Sequence, residues 1–92
     1  MKKKIIKIKW YHDTNKKCIG IAFSCTLIDS EGNTYDQIGH SFILWNDDYN
    51  RMIKSFCKGL NRNLKQELEY IPVSLFRQEF KKEFPQYKII KT

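Results

Sequence analysis

Hydrophobic and polar positions alternate with period two over Lys4–His12. Ile6, Ile8 and Trp10 share one face and Lys7, Lys9 and Tyr11 the other, the pattern of a strand with one buried side. Cys18–Ile28 alternates again, with Ile19, Ile21, Phe23, Cys25 and Leu27 opposite the small residues Gly20, Ala22, Ser24 and Thr26. Asp29-Ser-Glu-Gly-Asn33 is turn chemistry, since Gly32 and Asn33 tolerate positive φ. Thr34–Trp45 then returns as a third strand. These segments predict an antiparallel meander.

The period changes after Asn46. Tyr49, Met52, Ile53, Phe56, Cys57 and Leu60 fall at i, i+3, i+4, i+7, i+8 and i+11, one stripe of a helix. Asn46 or Asp47 is its expected cap, with Asp48 near the positive helix end. Leu64 and Leu68 extend the stripe, while Gly59, Asn61 and Asn63 weaken its second half. Tyr70–Val73 reads as a short strand. Ser74 reads as the cap of a second helix carrying Phe76, Phe80 and Phe84 and ended by Pro85. Tyr87–Lys91 reads as a last strand. The expected fold is a single compact α+β domain over 1–92. A three-stranded antiparallel meander is packed by two helices, with room for one or two short extra strands. Its expected core is Ile6, Ile8, Trp10, Ile21, Phe23, Leu27, Ile43, Met52, Phe56, Leu60, Phe76 and Phe80.

Charge adds what the hydrophobic pattern cannot show. The 92 residues carry a net charge of +7. Positions 1–17 hold net +6, positions 18–48 hold net −5 without a Lys or Arg, and positions 49–92 hold net +6. Arg51, Lys54, Lys58, Arg62 and Lys65 recur every three or four residues, along the helix face opposite the apolar stripe. Like charges so spaced repel by about 0.2–0.5 kcal/mol per pair, and no acid among them relieves this. An ordinary solvated helix mixes its signs, so the row points to an anionic partner. Lys7 and Lys9 beside Tyr11 form a second basic patch suited to a single-stranded backbone with a stacked base. The competing reading is a strand edge guarded by lysines. Asp29, Glu31 and Asp36 surround the turn, as turn residues or as an acidic prong for a protein partner.

Other chemistry is thin. His12, Cys18, Cys25, His40 and Cys57 are potential ligands, but no C-x-x-C or H-x-x-x-H spacing joins them, and no metal or cofactor is expected. Cys25 and His40 fall on hairpin partners, yet nothing orients the imidazole. Three cysteines do not make a disulfide scaffold. Lys7 and Lys9 interrupt the apolar run of a secretory leader. The longest apolar stretch free of Lys and Arg, Ile19–Ile28, is ten residues long, too short for a bilayer, which takes about 20. A cytoplasmic protein with free thiols and no membrane partner is expected.

Two resemblances bear on function. The element order, Asp13 after the first strand, Gly20 in the second and Asn50-Arg51-Met52 at the start of the first helix resemble the ribonuclease H-like fold. That resemblance implies a metal-binding Asp13 and a two-metal nuclease. Ile53 stands where the family carries its catalytic Glu, and no Asp ends the expected fourth strand, so the active site that the resemblance implies is a degenerate one. Asp29-Ser-Glu-Gly-Asn-Thr-Tyr35 followed by the helix of Ile53–Asn61 resembles the hairpin-then-helix layout of a phage anti-CRISPR family. That resemblance implies inhibition of a defence nuclease by protein contact. The residues themselves favour a non-enzymatic basic module for nucleic acid or a nucleoprotein complex. A long strand edge could also pair two copies into a homodimer.

Overall fold

The computed structural model describes residues 2–14, 20–44 and 48–86. Three antiparallel strands, β1 (Ile5–Thr14), β2 (Gly20–Asp29) and β3 (Thr34–Leu44), form one sheet in the order β1-β2-β3. Helices α1 (Tyr49–Asn63) and α2 (Val73–Glu83) follow, α1 over β3 and α2 over β1. The α+β meander with two helices is therefore the fold. No helix among the described residues is long and apolar enough to cross a membrane.

Register decides what each strand buries. Ile8 faces Leu27 and Trp10 faces Cys25 across β1–β2, while Ile21 faces Ile43 across β2–β3. All six are buried, because directly paired residues share a face. The ladder shifts between Ile5 and Lys7. Ile5 is buried there and Ile6 is 54% exposed, so the expected core position Ile6 is replaced by Ile5. A bulge inserts one residue and reverses the facing on its far side, which alternation alone does not reveal.

Asp29 closes the β2–β3 turn from inside. Its Oδ1 accepts the backbone N–H groups of Glu31 and Asn33, both at 2.9 Å. Its Oδ2 accepts Asn33 Nδ2 at 3.1 Å and the Tyr35 hydroxyl at 3.2 Å. Gly32 takes a φ of 86°, the left-handed conformation that glycine adopts at least cost.

The caps differ from expectation. Asp48, not Asn46 or Asp47, caps α1, accepting the Asn50 N–H at 2.9 Å. Pro72, not Ser74, stands at the N-cap of α2. Leu64 ends α1 through its N–H to Leu60 O, so the helix stops short of Leu68. Leu68 is instead buried beside Lys3 in an isolated parallel bridge.

Tyr70–Val73 forms no strand. Asn61 takes the place of a neighbouring strand: its Oδ1 accepts the Ile71 N–H at 2.7 Å and its Nδ2 donates to Ile71 O at 2.9 Å. Pro72, lacking an N–H, could not continue such a ladder. The expected strand Tyr87–Lys91, and Cys18, Ile19, Trp45, Asn46 and Asp47, lie outside the described residues.

Aromatic rings join the two layers. Trp10 meets Phe56 at a centroid distance of 4.9 Å and Phe80 at 5.3 Å, both edge to face. Phe23 packs on Phe80 at 5.4 Å and Phe84 at 5.8 Å. Edge-to-face pairs match the positive ring edge to the negative ring face.

Candidate nucleic-acid interface

The α1 stripe settles which side of that helix faces solvent. Tyr49, Met52, Ile53, Phe56, Cys57 and Leu60 are buried, so the opposite side turns outward. Arg51, Lys54, Lys58 and Arg62 lie on it, all exposed. From Arg51 to Arg62 the row extends about 16 Å along the axis. Lys65, expected on the same helix, is exposed in the turn after it. Ser55 is exposed beside the row and Gly59 half-buried. Apart from the helix's own backbone and the adjacent residues, no atom lies within 4 Å of where a side chain at Gly59 would begin.

The sheet carries the other basic patch. Lys7, Lys9, Tyr11 and Asp13 alternate with the buried Ile8 and Trp10, and their partners on β2 are Ile28, Thr26, Ser24 and Ala22. Lys9 Nζ lies 5.5 Å from the Tyr11 ring centroid, within cation–π range. Both helices pack on the opposite sheet face. Lys7 and Lys9 therefore face away from the α1 row, and the two basic groups form separate surfaces. The sheet surface also mixes signs: Asp13 is exposed on it, and Asp36 accepts the Thr26 hydroxyl at 3.4 Å.

The acidic hairpin is reduced. Asp29 is fully buried, so as a partner-binding residue it is withdrawn from the surface. Burial pushes its pKa up, but the bonds from Asn33, Glu31 and Tyr35 outweigh that and hold it below the usual carboxylate value. Glu31 is ion-paired with Lys3. Asp36 is exposed.

The cysteines serve the interior. Burial pushes the Cys25 thiol up to about 12, which removes the thiolate a nucleophile needs. The register pairs Cys25 with Ile38 and Phe23 with Ser41, so His40 falls in the irregular stretch between those pairs and not opposite Cys25. Its side chain lies outside the described residues, as does Cys18. Cys57 Sγ donates to Ile71 O at 3.2 Å, and burial raises its pKa, against the lowering effect of bonds from Tyr70 and Asn61. His12 stacks on Phe84 at 4.5 Å. Among the described residues no group of three His, Cys, Asp or Glu side chains could hold a metal ion.

Two polar residues escape the sequence pattern. Asn50 is almost fully buried, and its Oδ1 accepts Arg77 Nε at 3.0 Å across the α1–α2 seam. Arg77 sits in a segment of mixed sign with Glu79, Lys81, Lys82 and Glu83, so no periodic charge row marks it. No protein-family model matches the chain, and no curated protein or solved structure matches it.

Proposed function

We propose that the protein is a non-enzymatic binding module that holds the phosphate backbone of nucleic acid, free or within a nucleoprotein complex, on the outward face of α1. The observation that carries this is the row Arg51, Lys54, Lys58 and Arg62. All four are exposed on one helix face without an interleaved acid, and Lys65 is exposed in the turn that follows. Lys54, Lys58 and Arg62 follow one another at four-residue spacing, where like charges repel and a polyanion relieves the repulsion. The face carries long cations flanked by Ser55 and Gly59, a composition suited to backbone contact more than to base readout. Lys7, Lys9 and Tyr11 form a second, weaker surface on the sheet, where Asp13 and Asp36 oppose an anion.

The test is fluorescence anisotropy with labelled mixed-sequence duplex DNA and single-stranded RNA. Binding is expected to be insensitive to sequence. If all five cations reach duplex phosphates, the slope of log K against log salt is about −4 to −5. Lys54→Glu with Lys58→Glu is expected to abolish binding while the thermal transition persists. Binding unchanged by that double reversal overturns the reading.

A further inference from the structure

We propose that Arg77 is the anchoring phosphate ligand of this interface, and that the bound backbone crosses the seam between α1 and α2 instead of following α1 alone. The proposal rests on the nucleic-acid reading of α1 and extends it to a second helix.

The helices run antiparallel. Asn61, near the end of α1, brackets Ile71 just before α2, while Asn50, at the start of α1, meets Arg77 in the middle of α2. Arg77 thus lies at the Arg51 end of the basic row, on the neighbouring helix. Lys81, one turn further along α2, is exposed.

The manner in which Arg77 is held sets it apart from the lysines. Asn50 is 1% exposed and fixes the guanidinium through Nε alone. Five N–H donors make up an arginine fork, so the terminal nitrogens remain for an anion. Among the described residues the side-chain hydrogen bond of Arg77 goes to this neutral amide. A structural arginine paired with a carboxylate has its charge cancelled, whereas Asn50 orders Arg77 and leaves the charge intact. Arg77 is half-buried, which strengthens its attraction for an anion relative to a fully solvated cation. A pre-set fork that can grip phosphate through two parallel bonds is the geometry for which arginine is suited and lysine is not. Asn50 is then a positioning residue.

The experiment compares wild type, Arg77→Gln, Arg77→Lys and Lys54→Glu/Lys58→Glu by anisotropy on mixed-sequence duplex DNA across a salt series, with thermal unfolding as the fold control. Arg77→Gln is expected to weaken binding about tenfold at low salt and to make the slope shallower by about 0.9. Arg77→Lys keeps the slope and stays at least about fivefold weaker than wild type, because the charge remains and the fork is lost. Folded Arg77→Gln with wild-type affinity and slope overturns the proposal, and the α1 reading survives if the double reversal still abolishes binding. If Arg77→Gln does not fold, Arg77→Lys decides: affinity equal to wild type overturns the anchor, and weaker binding at an unchanged slope supports it. A wild-type protein that binds no duplex at low salt overturns both.

Discussion

The Trp10 indole Nε1 donates to the Phe76 carbonyl at 3.1 Å, a buried bond between the edge strand of the sheet and the first turn of α2. Around it Trp10 also packs edge to face on Phe76 at 6.2 Å. One side chain thus fixes both the height of α2 above β1 and its rotation. Trp10→Phe keeps a ring but removes the donor and leaves a gap. A loss of about 1–3 kcal/mol is expected, read as a lower urea midpoint at unchanged m-value.

The β1 bulge makes a paired prediction. Ile6→Thr, at an exposed position, is expected to stay within about 0.5 kcal/mol of wild type. Ile5→Ala, at a buried one, is expected to cost about 2–5 kcal/mol. Equal costs in chemical denaturation, or the reverse order, contradict the bulge.

Asn61 replaces a missing strand neighbour. Its amide bonds both polar groups of Ile71 and also donates to Cys57 O at 2.9 Å. Asn61→Ala leaves the Ile71 N–H without this partner, a penalty of about 1–3 kcal/mol. Hydrogen exchange at Ile71 is expected to accelerate more than at Phe80, because the damage begins in the α1–α2 connection.

Asp29 predicts an acid response. Its folded pKa lies below the ordinary carboxylate value. The ionised carboxylate therefore contributes stability above the unfolded pKa, near 3.9, and that contribution is lost as pH falls through the folded value. Asp29→Asn is expected to be less stable than wild type at neutral pH, with the gap narrowing below about pH 4. Urea midpoints for both proteins between neutral and acid pH check this, and a gap that widens on acidification contradicts it.

The sequence signals that proved legible were periodic ones. Alternation located β1 and β2, the turn residues Asp29–Asn33 placed β3 as their return, and the i, i+3, i+4 stripe located α1, because a single buried face repeats with the geometry of its element. Single-residue events left no period. The register shift at Ile6 depends on pairing with β2, and the α1 cap depends on which of three polar residues aims its oxygen at the helix end. The expected strand at Tyr70–Val73 gave way to a bracket from Asn61, ten positions earlier.

Charge shows the same division most sharply. Composition and spacing alone determined that the chain is basic at both ends, acidic between, and carries one row of cations on α1. The tertiary structure decided where those charges go. It set Lys7 and Lys9 on the opposite layer from that row, because both helices pack on one sheet face. It turned Asp29 into the turn, where backbone N–H groups needed an acceptor. It brought Arg77 to Asn50, twenty-seven positions away in sequence, a meeting that exists only because the two helices fold back against each other.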